Sequence, residues 1–165
     1  MDPRRLIARL TELPWTGYAK DLNPASVEIR QPFWQWSLMA RALVPTLLAH
    51  DSRIVSITGS QGSGKSTLAR MLVQEFKAQG VSAACVSLDD FYLSKQHRAN
   101  LSHSVHPLLA TRGVPGTHDT GRLGEVLDQF AHSKGKLNMR LPQFDKGLDD
   151  RVEDLHVEAE VLVFE

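Results

Sequence analysis

The feature that most constrains this chain is the stretch of residues 53–67, RIVSITGSQGSGKST, in which a short apolar run leads into a glycine-rich loop. The loop has the pattern G-x-x-x-x-G-K-S, which is typical of loops that wrap around phosphate groups. Residues 54–57 are suited to a buried parallel strand, and apolar residues recur at helical spacing over residues 68–76. The sequence therefore predicts an α/β protein in which strand, loop and helix follow one another beside a bound phosphate.

The residue types in the loop match this chemistry. Glycine lets the backbone adopt conformations in which consecutive N–H groups turn toward a phosphate, and the following helix adds its free N–H groups and positive dipole end. Lys65 can reach the β- and γ-phosphates, and the Ser66 hydroxyl is placed to ligate Mg²⁺. We favour this interpretation over an ordinary glycine-rich turn. The predicted nucleotide-binding residues are Gly59, Ser60, Gly62, Ser63, Gly64, Lys65, Ser66 and Thr67.

Composition limits the class of protein and its partners. The chain has 165 residues, of which 42% are hydrophobic and 23% charged, as expected for one globular domain. Nineteen basic residues balance nineteen acidic ones, which argues against general binding to nucleic acids or anionic membranes. The single cysteine, Cys85, fits a reducing compartment, and no apolar stretch has the length of a membrane span or signal peptide. We therefore expect a cytoplasmic protein with small-molecule partners.

The chain divides into a predicted N-terminal helical segment, residues 1–50, packed on a core formed by residues 51–165. A short amphipathic helix begins at Pro3. A second helix is predicted over residues 33–50, bent or ended early near Pro45. Three tryptophans in this segment either pack against the core, which we favour, or stack on a nucleobase: Trp15, Trp34 and Trp36.

Two carboxylates follow the second predicted strand. The helix after the loop should close at Gly80, and residues 81–88 then form a buried strand in a right-handed β-α-β unit. Asp89 and Asp90 come next, at the carboxyl end of a parallel strand, which is where ligands bind in open α/β sheets. Adjacent strand residues face opposite ways, so one carboxylate should point squarely into the site, and we favour Asp89.

The remainder of the chain alternates between polar and apolar stretches. Residues 93–121 are predicted to be irregular, followed by a helix over residues 120–133 and a strand over residues 137–141. Residues 160–165, EVLVFE, form a third buried strand that ends in the carboxylate of Glu165. A metal site is not favoured for the histidines of the irregular stretch, because they lack a cysteine partner and a compact helical spacing. These histidines are His97, His103, His106 and His118.

A phosphate loop followed by a strand that ends in Asp-Asp-Phe-Tyr resembles the phosphoribulokinase, uridine kinase and pantothenate kinase group. The later stretches RGVPGTHD, PQFDKG and VLVFE closely resemble the D-glycerate 3-kinase branch. The resemblance covers about residues 54–165 and departs at Gly147, where such sequences usually carry serine. It implies a P-loop NTPase fold, with a parallel sheet flanked by helices. It also implies an ATP-dependent kinase that transfers the γ-phosphate to a hydroxyl of a small metabolite, with D-glycerate as the expected acceptor.

The chemistry of phosphoryl transfer assigns roles to the charged residues. Lys65 would offset charge on the transferring phosphate, and Asp89 would orient the attacking hydroxyl and accept its proton, with Asp90 as the second candidate. Mg²⁺ would be held by Ser66, Asp89 and Glu165. Arg112 suits bidentate contact with a carboxylate, or else a surface ion pair, and Asp119 has the alternative role of helix cap. The predicted substrate-binding residues are Tyr92, Arg112, His118, Asp119, Asp145 and Lys146.

Two other functions stay open. Uridine kinases typically carry Asp-His-Pro where this chain has Gly113-Val114-Pro115, so the acidic residue suited to ribose hydroxyls is absent, which disfavours a uridine or pantothenate type of kinase. The second alternative is a nucleotide switch that transfers phosphate only to water and needs no acceptor pocket.

The resemblance also predicts an incomplete core. Kinases of this group have five parallel core strands in the order 2-3-1-4-5, and residues 53–58, 81–88 and 160–165 would be the first three. We therefore expect a C-terminally truncated form of the fold, with the phosphate-loop strand at an edge of the sheet. Such a chain should be weak or inactive alone, and a second copy in a homo-oligomer could cover the exposed edge.

Overall fold

The structure, a computed structural model, describes the backbone of residues 32–165 and the side chains of residues 36–165. In this part of the chain, helices and two short 3-10 turns surround strands of three small sheets. The helices are α1 (Pro32–Ala49), α2 (Lys65–Ala78), α3 (Lys95–Ser104) and α4 (Thr120–His132), and the 3-10 turns span Leu88–Phe91 and Pro107–Ala110. The strands are β1 (Ile54–Ser56), β2 (Ala83–Val86), β3 (Leu137–Leu141), β4 (Phe144–Asp145), β5 (Asp150–Arg151), β6 (Leu155–Ala159) and β7 (Val161–Phe164).

The central sheet is parallel and has the order β1-β7-β2. The predicted order of the first three core strands is thereby confirmed, because β7 is the third of them along the chain and lies between the other two. Val163 of β7 is in register with Val55 on one side and with Cys85 on the other. Within the described residues β1 forms an edge of this sheet, as predicted. The carboxyl ends of all three strands lie at the same edge, beside the glycine-rich loop.

Helices cover both faces of the central sheet. On one face α1 and α2 bury Leu72 and Phe76 against Val163, and on the other face Phe130 of α4 packs with Leu162. Alternate residues of β7 therefore point into opposite cores, as the two-residue period of a strand requires. Burying each of these large side chains stabilises the fold by ~1.5–3 kcal/mol. This packing fixes the strand ends that carry the candidate site.

The antiparallel pair β3 and β6 extends the core below α4, with Leu141 opposite Leu155 in register. The strand predicted over residues 137–141 is confirmed, whereas β6 lies in a stretch whose charged sequence gave no strand signal. A second antiparallel pair, β4 and β5, joins Phe144 to Arg151 and carries the Phe-Asp-Lys segment.

The segment of residues 93–121 differs from the prediction, because it contains α3 and the second 3-10 turn rather than irregular chain. The helix α3 begins where Ser94 Oγ accepts a hydrogen bond of 3.2 Å from His97 N, a capping interaction that a single serine provides. Its anchor is Arg98, a charged residue that is fully buried. A polar helix held by one buried arginine has little apolar periodicity, which is why the pattern predicted no helix.

The helix predicted over residues 33–50 is confirmed as α1, which continues through Pro45 to Ala49 and does not end early. Proline removes one backbone hydrogen bond from the helix interior. The packing of Ala40 and Val44, which are 1% and 0% exposed, against the core beside α2 offsets that loss. The first predicted helix, from Pro3, lies outside the described residues, and so does most of the predicted 1–50 segment. No helix in residues 32–165 is long and apolar enough to cross a membrane.

Candidate active site

The glycine-rich loop presents backbone N–H groups at the start of α2. Gly64 is the N-cap of this helix with φ 88°, and no side chain caps the first turn. Gly62 also has a positive φ, 76°. Both values lie in the left-handed region that favours glycine, and they let the loop turn back on itself before the helix starts. The uncapped N–H groups and the positive end of the helix dipole make this turn suitable for an anionic phosphate.

Lys65 extends along the loop. Its Nζ donates hydrogen bonds to the carbonyl oxygens of Gly59, at 3.0 Å, and Ser60, at 2.9 Å. The loop itself is tight, because a Cβ added at Gly59 would lie only 2.8 Å from Ser63 Oγ. The ammonium group is therefore held at the loop by backbone oxygens, within the segment predicted to bind phosphates.

Trp36 of α1 contacts the same loop from outside the sheet. A Cβ added at Gly64 would lie 2.7 Å from Trp36 Cζ2, so the indole packs directly on the loop backbone. Of the two roles considered for the tryptophans, packing is the one the structure gives to Trp36. The helix α1 thus contacts the phosphate loop, although the two are separated in the chain by β1.

A cavity of about 630 Å³ joins the loop to the ends of β2 and β7. This volume is within the range of small-molecule sites, about 300–1,000 Å³. The cavity brings together Lys65 and Ser66 from the loop with the predicted carboxylates Asp89 and Glu165. Its lining residues are Gln61, Gly62, Lys65, Ser66, Ser87, Leu88, Asp89, Asp90, Tyr92, Lys146 and Glu165.

Asp89 and Asp90 have different partners. Asp90 Oδ2 accepts a hydrogen bond of 2.9 Å from Ser87 N, and its Oδ1 accepts a longer one, 3.4 Å, from Phe144 N. Asp89 Oδ2 instead lies 2.7 Å from Lys146 Nζ in the cavity. These contacts favour Asp89, rather than Asp90, as the carboxylate that acts on a bound ligand. The reason differs from the predicted one, because both residues lie in a 3-10 turn and not in a strand. Strand alternation does not apply to this pair.

Two donors hold the Asp89 carboxylate. The hydrogen bond to Asp89 raises the pKa of Lys146, although burial opposes it. Burial raises the pKa of Tyr92, and the neighbouring Asp89 carboxylate raises it further. Both side chains consequently keep their protons at neutral pH and can donate to Asp89. The Asp89 carboxylate, held by an ammonium and a phenol, is placed to contact a third group in the cavity.

Arg112 lies behind Lys146 and does not line the cavity. Its Nη1 donates to the carbonyl oxygen of Lys146, at 3.0 Å, and to Asp149 Oδ1, at 3.1 Å. Its guanidinium carbon lies 5.7 Å from the centre of the Phe144 ring, a cation–π distance. Arg112 therefore forms an ion pair, with Asp149, as the alternative role predicted. It also holds the main chain of Lys146 through a hydrogen bond to the carbonyl oxygen.

His118 stacks on the ring of Tyr92, with ring centres 4.1 Å apart. Its Nε2 is buried and makes no hydrogen bond within the described residues. Burial lowers the pKa of His118, and the negative charge of Asp89 opposes that shift. The imidazole is therefore neutral at pH 7, and it packs behind Tyr92 without lining the cavity itself.

Asp119 and Asp145 have local structural roles. Asp119 Oδ1 accepts from Arg122 N at the start of α4, at 3.0 Å, and its Oδ2 pairs with Arg151 at 2.9 Å. Burial acts to raise the pKa of Asp119, but the bonds from Arg122 and Arg151 lower it overall. Asp145 Oδ1 accepts from the backbone N–H groups of the turn that follows it. Neither carboxylate lines the cavity, so their assignment to a substrate pocket stays a prediction.

Comparison with known proteins places this geometry in context. Residues 45–103, from the end of α1 through α3, match the family model described as "Novel STAND NTPase 3". The chain is 40% identical over 95 residues to "Uncharacterized kinase mug58" of Schizosaccharomyces pombe, covering 56% of this chain and 34% of that protein. It is 33% identical over 96 residues to "D-glycerate 3-kinase, chloroplastic" of Arabidopsis thaliana, covering 56% of this chain and 21% of that protein. The chain thus spans about a third or less of these relatives.

A solved structure extends the likeness. D-glycerate 3-kinase from Cryptococcus neoformans superposes with a TM-score of 0.56 at 29% identity, covering 82% of this chain and 50% of that chain. In sequence and in fold, this chain is similar to kinases that bind nucleotides through a P-loop. The predicted resemblance and the predicted α/β fold are both confirmed at this level. The superposition covers more of the chain than the sequence matches do.

The donor set of this cavity suits Mg²⁺. Ser66, Asp89 and Glu165 line the cavity and offer hard oxygen ligands, which magnesium prefers. No group of three histidine, cysteine or carboxylate side chains within residues 36–165 could hold a metal on its own. That pattern is usual for magnesium in kinases, where a few protein oxygens, waters and substrate phosphates share the ion.

Several residues of the candidate site were missed in the sequence analysis. Gln61 and Ser87 line the cavity, and Arg98 and Asp149 support its wall. The spacing of Ser87 and Asp90, S-x-x-D, is a capping-box signal that could have identified Asp90 as a local cap. No comparable short signal marks Arg98 or Asp149, because their contacts join segments far apart in the chain.

Proposed function

We propose that this chain forms the phosphoryl-transfer site of an ATP-dependent kinase whose acceptor is a hydroxyl of a small hydroxy acid, D-glycerate. The proposal depends above all on one observation, which is that Lys65, Ser66 and Asp89 line the same cavity of about 630 Å³. The carboxylates of Asp89 and Asp90 together with the stretch of residues 112–119 favour the kinase, because a nucleotide switch that transfers phosphate to water has no evident use for both. The cytoplasmic location and the small-molecule partner expected from composition belong to the same proposal.

The residues divide the reaction between them. The acceptor hydroxyl oxygen attacks the γ-phosphorus of ATP, the new O–P bond forms, and the bond to the β–γ bridging oxygen breaks as ADP leaves. Asp89 takes the hydroxyl proton, and Lys65 offsets negative charge on the phosphoryl oxygens. Ser66, Asp89 and Glu165 would hold Mg²⁺, which supplies charge neutralisation at the phosphates when bound.

The acceptor class follows from the charges around Asp89. Lys146 contacts Asp89 directly in the cavity, and Arg112 holds the main chain of Lys146 from behind, so one cation stands where an anionic acceptor would bring its carboxylate and a second supports it. His118 stacks on Tyr92, which lines the same cavity. The named activity of the Arabidopsis and Cryptococcus relatives, D-glycerate 3-kinase, supports glycerate among hydroxy acids.

A second candidate has its own support. The match to a STAND NTPase model covers residues 45–103, which include the loop and Asp89 but none of the segment from Arg112 to Lys146. A nucleotide-dependent switch would use only this first part of the site. The uridine and pantothenate types of kinase would use both parts but place a different acceptor beside Asp89.

Nucleotide turnover with different acceptors separates these functions. ADP release is measured with Mg²⁺ and ATP alone and after adding D-glycerate, uridine or pantothenate, and ³¹P NMR identifies the product. We expect D-glycerate to increase turnover and a phosphoglycerate to form in step with ADP. Stimulation by uridine or pantothenate instead would replace the acceptor. Turnover that no acceptor changes, with inorganic phosphate as the product, would support the switch.

A further inference from the structure

Arg98 is the largest fully buried side chain in the described part of the molecule. A buried guanidinium is costly unless its charge and donors are paired. Arg98 pairs them with three separate loops, since Nε donates to Leu93 O at 3.1 Å, Nη1 to Ala110 O at 3.1 Å and Nη2 to Asp149 O at 2.7 Å. This single side chain therefore holds three segments together. They are the segment before α3, the 3-10 turn that follows α3, and the turn after β4.

Asp149 is shared between two arginines. Its Oδ1 lies 3.1 Å from Arg98 Nη2 and 3.1 Å from Arg112 Nη1. Its backbone has φ 55°, a left-handed conformation that is uncommon for residues other than glycine. The two bonds from Arg98, to the carbonyl and to the carboxylate, support that conformation. Asp149 thereby joins the buried guanidinium to the exposed one, and its charge offsets their mutual repulsion.

Phe144 fills the space beside this pair. The guanidinium carbons of Arg98 and Arg112 lie 5.8 Å and 5.7 Å from the centre of its ring, and Tyr92 meets the ring edge to face at 5.3 Å. Phe144 is 8% exposed. The aromatic ring and Asp149 together leave Arg112 little freedom to move.

The contacts continue from Arg112 to the candidate site. Arg112 Nη1 holds the carbonyl oxygen of Lys146, and Lys146 Nζ holds Asp89 Oδ2. An unbroken series of polar contacts thus runs from the buried Arg98 through Asp149 and Arg112 to the Asp89 carboxylate. Within the described part of the chain, no hydrogen bond or ion pair of this series reaches the phosphate loop, residues 59–67.

We propose that Arg98 and Asp149 are positioning residues for the acceptor side of the site. They fix the guanidinium of Arg112 and, through it, the main chain of Lys146, so that the Lys146 ammonium meets the acceptor carboxylate in one geometry beside Asp89. This inference rests on the proposed kinase function, but it assigns the task to two residues that touch neither nucleotide nor acceptor. Small errors in placing a reacting group cost as much as about a hundredfold in rate.

Asp149→Asn tests the proposal, with Asp154→Asn as its matched control. Asp149 and Asp154 side chains are both 38% exposed and both face an arginine, but Asp154 lies near Arg122, away from this series. We expect Asp149→Asn to raise KM for D-glycerate by about tenfold or more while kcat and KM for ATP change by less than about twofold. Asp154→Asn should leave all three unchanged. An equal rise of both KM values, or no difference from the control, would overturn the proposal.

A second measurement is independent of catalysis. In protein labelled with ¹⁵N at arginine, rotation of the Arg112 guanidinium is followed by NMR, with its signals assigned from Arg112→Lys. We expect slow rotation in the wild type and in Asp154→Asn, and fast rotation in Asp149→Asn and in Arg98→Lys, which keeps the charge but loses the fork. Slow rotation in Asp149→Asn would contradict the positioning role. If wild-type protein phosphorylates no hydroxy acid, the proposed function fails, and the rotation of Arg112 still decides this inference.

Discussion

The two sides of the cavity are built in different ways. The phosphate side is one continuous stretch, residues 59–67, and most of its expected contacts come from backbone N–H groups and one lysine. The acceptor side combines side chains from separated stretches, residues 89–92, 112–118 and 144–149, which only the tertiary fold brings together. One side is local in the sequence and the other is not.

This difference teaches where each side is vulnerable. The phosphate loop depends on backbone dihedral angles that glycine permits, so few distant residues should affect it. The acceptor side depends on buried partners such as Arg98 and Phe144, so substitutions far from Asp89 should change acceptor binding alone. Each prediction below either separates the two sides further or shows that they are coupled.

The largest effect is expected at Lys65, on the phosphate side. Lys65→Ala removes the only loop ammonium, and we expect phosphoryl transfer to fall by about a thousandfold, as for loss of a charge that stabilises a transition state. The fold should survive because the side chain bonds only to loop carbonyls. Transfer is measured as ADP release with the acceptor present, and circular dichroism follows folding.

Lys77→Ala is the control for this substitution. Lys77 is an exposed lysine in the last turn of the same helix, α2. Its replacement tests whether loss of any positive charge from the helix reduces transfer. Unchanged transfer in Lys65→Ala, or an equal loss in both variants, would show that the loop lysine has been misassigned.

The next largest effect is expected at Asp89, where the two sides meet. Asp89→Asn cannot accept the proton of the acceptor hydroxyl, so transfer should fall by about a hundredfold, within the usual contribution of a general base. Nucleotide affinity, measured with a fluorescent ATP analogue, should stay close to the wild-type value, because the loop keeps its own contacts.

Asp90→Asn completes this comparison. The Asp90 carboxylate accepts hydrogen bonds from the backbone of Ser87 and Phe144. Asp90→Asn should therefore lower the midpoint of thermal unfolding, while its loss of transfer should be smaller than that of Asp89→Asn. A variant that unfolds normally but transfers phosphate worse than Asp89→Asn would mean that the wrong carboxylate has been chosen.

The same division explains what the sequence could predict. The phosphate loop and its flanking strand and helix were predictable because glycine spacing and apolar runs are local signals, whereas the strand order was predicted from the family resemblance. Glu165 could be placed in the cavity because parallel strands end at the same edge of a sheet. Gly80, with φ 80°, follows the end of α2 as predicted.

The acceptor side was predictable only as a set of residue types. Arg112 and Lys146 were identified from a family resemblance, but their connection through Asp149 depends on a turn whose conformation no local pattern encodes. Arg98 was missed because a charged residue in a polar stretch is usually exposed, and its burial depends on three carbonyls from distant loops. Tertiary packing, rather than propensity, also carries α1 through Pro45.

A smaller effect is expected at Trp36, which tests whether α1 supports the phosphate side. Trp36→Ala leaves a space beside Gly64, and we expect nucleotide affinity to fall about fivefold, equivalent to ~1 kcal/mol of lost support for the loop. Trp36→Phe keeps an aromatic ring there and should bind nucleotide nearly as well as the wild type. Equal affinities in all three proteins, measured by calorimetry, would show that the indole packs on the loop without stabilising it.

The smallest effect is a change of pKa at His118, on the acceptor side. Burial favours the neutral imidazole, so the folded protein should release this proton below the ordinary histidine pKa of 6.5. The negative charge of Asp89 favours the protonated form, and removing that charge in Asp89→Asn should therefore lower the pKa of His118 further. Proton NMR titration, with the signal assigned from His118→Gln, measures both values. A higher pKa of His118 in Asp89→Asn would show that the charge of Asp89 does not act on the imidazole as expected. In a second titration, D-glycerate added with an ATP analogue should move the His118 signal only if the acceptor side binds as proposed.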